Sequence, residues 1–184
     1  MSITIIGMTA SGKTTLGRKV AERIGADFFD LDAEVEKQLE MEISDMYKHF
    51  SVEEITEFFN IKYKELSKLE DTVISTGGFF GFSHDFKNET QIIFLDITLD
   101  LFKERIEEAK LHPELPENKN RRIISQPESE VEKHYNERHP KYVANSTDRY
   151  LIESNKDILE VEHMIVAGYA PSLPSKLFIL KRFK

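Results

Sequence analysis

The chain contains no cysteine. That excludes disulfides, thiolate zinc sites and cysteine nucleophiles together, and it suits the cytosol. No apolar run approaches the roughly 18 residues a membrane-spanning helix requires, and none is expected. Positive charge is not in excess either: 25 Lys and Arg stand against 33 Asp and Glu, a formal net charge of −8. A general nucleic-acid binder needs a basic surface to displace counterions, so that class is not expected. A local basic cleft for a phosphorylated ligand stays open. The N-terminal MSITIIGM is apolar but short, with no basic n-region and no cleavage site, and reads as a first strand rather than a signal peptide. The rest is ordinary: 184 residues, 40% hydrophobic and 32% charged, suit one globular domain with a sizeable core.

Short β-branched or aromatic runs at 3–7, 27–32, 72–76, 90–97 and 149–154 read as strands. Between them, helical spacing predicts helices at 13–24, 33–39, 52–69, 99–110, 128–145 and 156–167. Gly25 and Gly168 act as stops, and the fifth of these helices is expected to break near Pro140. The stretch 111–127 carries three prolines and reads as a long loop, often a lid in compact domains. A basic tail, 171–184, follows Ala170 as an added strand, a packing arm or a partner contact. Strands alternating with helices imply a parallel sheet covered on both faces. Ligands in such sheets bind at the carboxyl ends of the strands, here Gly7, Asp32, residues 76–78 and residues 96–97.

Gly7-Met8-Thr9-Ala10-Ser11-Gly12-Lys13-Thr14 matches G-x-x-x-x-G-K-[ST], following a strand and opening a helix. Backbone N–H groups of such a loop turn inward, and the helix N-terminus adds partial positive charge against phosphates. Lys13 is expected to reach the β- and γ-phosphates of ATP, and Thr14 to hold Mg²⁺. Ala10, Ser11, Gly12 and Thr15 complete the nucleotide-binding set. Asp30 and Asp32 lie two apart, so on a strand they point the same way. One would assist the metal and the other orient or deprotonate an attacking hydroxyl. Alternatively both begin the next helix, one as its N-cap. Gly77 and Gly78 either let backbone approach a substrate or form a plain turn.

Together these residues resemble the shikimate kinase family, small P-loop kinases related to nucleoside monophosphate kinases. The resemblance runs from residue 3 to about residue 155. It implies a P-loop NTPase three-layer α/β sandwich. The five-stranded parallel sheet has order 2-3-1-4-5, with acceptor-binding helices at about 33–70 and a lid at about 111–127. It places Asp30 near Mg²⁺, Asp32 on the acceptor hydroxyls, and Gly77 and Gly78 against the acceptor. It puts Arg105 on the adenine. RRII matches the lid motif R-P-L-L with Arg122 near the transferring phosphate and Arg121 beside it. ERHPKY matches R-x-P-x-Y with Arg138 on the acceptor.

The departures cluster on the acceptor side. The family motif G-E-x-x-F-R-x-x-E supplies an arginine for the acceptor carboxylate. SVEEITEFFNIKYKEL puts Thr56 at that arginine and Phe59 at the second glutamate. No arginine occurs between Arg23 and Arg105, although Lys62 or Lys64 can reach in from another turn. Phe79 replaces the third glycine of T-G-G-G, Ala10 the middle glycine of the phosphate loop, and no proline follows Arg122. A charge-assisted hydrogen bond contributes roughly 1.5–3 kcal/mol, so this loss weakens shikimate binding at least about tenfold. Phe59, Phe79 and Phe80 either line a more apolar pocket or pack in the core. His112, His134 and His139 read as solvated lid histidines rather than metal ligands.

The expectation is an ATP- and Mg²⁺-dependent kinase for a hydroxyl of a small molecule. It is expected to be cytoplasmic and monomeric, without nucleic acid or membrane as partner. A shikimate kinase with a compensated pocket and a nucleotide-binding module without transferase activity are the alternatives.

Overall fold

The computed structural model describes residues 2–86, 89, 91–115, 118 and 121–169. The expected tail and part of the expected lid lie outside the described residues, as does Thr90 of the expected fourth strand.

Five parallel strands form one sheet: β1 (Ser2–Gly7), β2 (Asp27–Asp30), β3 (Thr72–Ser75), β4 (Ile92–Ile97) and β5 (Asp148–Ile152). Their order is β2-β3-β1-β4-β5, as the resemblance implies. Strand β1 pairs with β3 from Ser2–Thr72 and with β4 from Thr4–Ile92, so it is central. Central strands are buried on both faces and read as continuous apolar runs. Ile3, Ile5 and Ile6 of β1 are accordingly wholly buried, as are Ile93, Phe94 and Leu95 of β4.

The helices are α1 (Lys13–Ile24), α2 (Leu31–Leu39), α3 (Ile43–His49), α4 (Val52–Leu66), α5 (Phe80–Ser83), α6 (Leu99–Leu111), α7 (Glu128–Asn145) and α8 (Asp157–Tyr169). Neighbouring residues of β1 show the two faces. Ile5 faces Gly17 of α1, whereas Ile6 faces Gly81 of α5. Helices α1 and α8 pack together, and α7 packs on β1 and β4.

Several boundaries differ from expectation. Strand β2 stops at Asp30, because Asp30 caps α2 by accepting hydrogen bonds from the backbone N–H groups of Asp32 and Ala33. Asp32 therefore sits in the first turn of α2, and strand periodicity does not govern its direction. Helix α4 begins with a Ser51–Glu54 capping box and ends at Leu66, short of residue 69. Helices α3 and α5 were not expected.

Helix α7 runs unbroken through Pro140. Tertiary bonds on both sides of the proline hold it: Tyr135 donates to the Ile97 carbonyl (2.8 Å), and Tyr142 donates to the Gly78 carbonyl. Gly168 lies inside α8 rather than stopping it. The buried Ile165 and Val166 and the bond from Tyr169 to Asp71 (3.0 Å) carry the helix past it.

Candidate active site

The phosphate loop turns between β1 and α1. Gly12 adopts φ +94°, a region that favours glycine, and N-caps α1. Ala10 adopts φ +61° at the place where the family motif has a glycine, a conformation unfavourable for an L-residue by about 1 kcal/mol. The fold tolerates that cost, and the loop keeps its cradle shape. Gly7 ends β1 beneath the buried Ser11, whose hydroxyl has no hydrogen-bond partner among the described residues. An orphaned buried hydroxyl in a loop that opens a helix N-terminus fits a phosphate oxygen. Thr15, the third residue of α1, is exposed.

Lys13 is buried, and its ammonium donates to the carbonyls of Gly7 (3.0 Å) and Met8 (2.7 Å). Thr14 donates its hydroxyl to Asp30 (2.7 Å) and lies 3.4 Å from the Ser75 hydroxyl. The Thr14–Asp30 pair is an all-oxygen donor set, as a hard cation such as Mg²⁺ prefers. Asp30 thus serves as helix cap and as partner of Thr14 at once. The two alternatives for this residue were never exclusive.

Gly77 and Gly78 follow β3 and lie between the phosphate loop and α2. A Cβ on Gly77 would stand 1.8 Å from Asp32 Oδ1, and one on Gly78 would stand 2.8 Å from Thr9 Oγ1. Glycine is therefore required for the Asp32 carboxylate to lie against this backbone. Burial pushes the Asp32 carboxyl up to about 7, with Asp30 adding to it and Lys13 and Arg121 opposing. Burial, then Arg121, lowers Lys13 to about 8, against the pull of Asp32 and Asp30. A carboxyl poised near neutrality beside a hydroxyl can accept its proton.

The two lid arginines divide. Arg121 is the one whose charge acts on both Lys13 and Asp32. Arg122 instead stands over the ring of Tyr47, 5.8 Å from its centroid. Arg138, on α7, lies over Phe82 at 5.0 Å and beside the Tyr142 hydroxyl. Burial raises the Tyr47 hydroxyl, which the sequence reading did not single out, while the charges of Arg138 and Arg122 lower it and that of Asp32 adds to the rise. Arg105 donates to the Ala10 carbonyl (2.8 Å) and to Asn155 (2.7 Å), beside the phosphate loop.

Helix α4 contributes little polar chemistry. The Thr56 hydroxyl donates to the Val52 carbonyl of its own helix (2.7 Å), and Lys62 pairs with Glu65. Phe59 and Phe80 are core residues, stacked at 6.0 Å, so they do not line an apolar pocket. Phe79 is half-buried, edge-on to Tyr47 at 6.4 Å.

His134 and His139 are not solvated lid histidines but part of α7. His134 stacks on Phe102, and its Nε2 is buried without a partner among the described residues. His139 Nε2 lies 2.7 Å from the buried Asp96, which also pairs with Arg149. Asp96 is thus committed to holding α7 and β5, although it lies at a strand end. No described group of three or more Asp, Glu or His is placed to hold a metal by itself. No helix of the described residues is long and apolar enough to cross a membrane.

A family profile described as Shikimate kinase matches residues 9–165. The shikimate kinase of Aquifex aeolicus is 28% identical over 146 residues, covering 77% of this chain and 82% of that one. Among solved structures, the shikimate kinase from Bacteroides thetaiotaomicron is similar with a TM-score of 0.75 at 21% identity, covering 90% of this chain and 96% of that one. The shikimate kinase from Acinetobacter baumannii in complex with shikimate is similar with a TM-score of 0.74 at 22% identity, covering 91% and 92%.

Proposed function

The chain belongs to the shikimate kinase family, an ATP-dependent small-molecule kinase family, and from that premise we propose that its acceptor is a small alcohol held by a site departing from the family pattern. The observation that supports this most is the Asp32 carboxylate lying on the Gly77 backbone, within reach of the Lys13 charge. It joins a phosphate cradle to a group able to take a hydroxyl proton.

In this reading the phosphate loop and Lys13 hold the phosphates of ATP, with Arg105 at the nucleotide end. Thr14 and Asp30 would hold Mg²⁺, which would supply positive charge against the phosphates. Asp32 orients the acceptor hydroxyl and receives its proton, and Arg138 with the Gly77–Gly78 backbone positions the rest of the molecule. Arg121, rather than Arg122, covers the transferring group, because its charge reaches both Lys13 and Asp32. The protein acts as a cytoplasmic monomer on this small molecule.

A second reading, shikimate itself as acceptor, is favoured by Arg138, the arginine matching the family's acceptor motif, standing beside the Tyr142 hydroxyl. The test is ADP release by the purified protein with Mg²⁺ and ATP, using shikimate and a panel of polyols, sugar acids and nucleosides. One alcohol should raise turnover above about 1 s⁻¹. Asp32→Asn should lower that turnover at least about a hundredfold while leaving ATP affinity within about twofold. A protein that binds ATP, turns over no alcohol and is indifferent to Asp32→Asn is a binding module, and the proposal fails.

A further inference from the structure

Helix α4 presents Thr56 bonded to its own backbone, Phe59 in the core and Lys62 paired with Glu65. Recognition of charge on the acceptor therefore cannot come from these positions. Across the site stand two guanidiniums. Arg122 lies over the Tyr47 ring, and Arg138 lies over Phe82. Both act on the Tyr47 hydroxyl, as does Asp32. Neither forms an ion pair with a carboxylate among the described residues. Two like charges, each lacking an ion-pair partner of its own among the described residues, repel each other, and a bound anion relieves both.

Arg122 is exposed, but its backbone is fixed. Ile123 and Ile124, which follow it, are both buried at 8% exposure, and its carbonyl accepts from the Ser125 hydroxyl (3.0 Å). A guanidinium on an anchored backbone, resting on an aromatic face, is partly pre-organised for a planar anion.

We propose that Arg122, supported by Tyr47 and acting with Arg138, reads an anionic group on the acceptor, in place of a cation from α4. Arg122 is then a specificity-determining residue on the acceptor side. The proposal rests on the kinase reading above and adds the residue that selects the charge of its substrate.

The test compares acids with neutral partners bearing the same hydroxyls, shikimate against its methyl ester first and then other hydroxy acids against their esters. The wild type should favour an acid over its ester by at least about tenfold in kcat/KM. Arg122→Ala should raise KM for that acid at least about tenfold, with KM for ATP within about twofold and the ester unaffected. Arg122→Lys should recover part of the loss, because it keeps charge without the fork.

If Arg122→Ala raises KM for ATP and leaves the acid unchanged, Arg122 serves the donor and the inference is overturned. If the wild type prefers esters, the inference falls while the kinase reading stands. If no alcohol is turned over, the kinase reading falls, and thermal stabilisation by the acids decides instead. Stabilisation lost in Arg122→Ala supports an anion site there; none in the wild type overturns it.

Discussion

A Cβ added at Gly77 would stand 1.8 Å from Asp32 Oδ1, and the clashing atom is the end of a side chain that can rotate away. Gly77→Ala should therefore fold almost as well as the wild type, within about 1 kcal/mol by thermal unfolding. Its turnover should fall at least about a hundredfold, because the proposed role of Asp32 needs its carboxylate held against this backbone, facing the acceptor hydroxyl. Unchanged turnover would remove the close approach from the mechanism. At this scale the phosphate loop was fully legible, since its spacing is short and its physics local. The lid arginines were not. Placing the family's apolar pair on Ile123 and Ile124, both buried here, selects Arg121 for the motif arginine and puts Arg122 at its proline. That register was available in the sequence but needed burial to choose it. Tyr47 had no local signal for a site, because only folding brings it beside Arg122 and Arg138.

Helix α7 carries Arg138, and its seat on the sheet decides where that guanidinium points. Within this seat His134 stacks on Phe102, and burial, then Arg138, lowers it from its ordinary value to about 4. The unfolded chain therefore takes up a proton at His134 before the folded one does as pH falls. Its contribution to stability is whole above about pH 6.5 and is lost progressively down to about pH 4, on the order of 1–3 kcal/mol. His134→Phe should flatten urea-derived stability across that window, while an undiminished slope would assign the acid sensitivity elsewhere. The continuity of α7 through Pro140 shows why local rules misread this helix. The proline removes one backbone bond, but Tyr135, His139 and Tyr142 fasten the helix on both sides of it. The opposite lapse occurred at α3. Ile43, Met46, Tyr47 and Phe50 recur at helical spacing, so its signal was present in the sequence.

The alternation of strands and helices made the parallel sheet legible across the whole molecule, and the resemblance supplied the strand order. The net charge of −8 did not disclose that Lys13, Arg105, Arg121, Arg122 and Arg138 gather around one site. A total averages over surfaces, whereas a ligand meets one cleft. Such a cleft should make the stability of the entire fold depend on nucleotide. At a hundredfold excess over its dissociation constant, a ligand of the folded state adds about 2.7 kcal/mol. For a chain of this length that is a rise in Tm of about 5–10 °C. MgATP should therefore raise Tm more than ATP with a chelator. The difference should vanish in Asp30→Asn. Asparagine caps a helix as well as aspartate does, so α2 should keep its start and the ligand-free Tm should move little. What asparagine lacks is the negative charge that, beside the Thr14 hydroxyl, is proposed to draw the cation. Calorimetry of the two proteins with ATP, with and without Mg²⁺, separates these contributions. A magnesium increment that survives in Asp30→Asn would leave the metal to Thr14 and the phosphates alone and return Asp30 to the single role of helix cap.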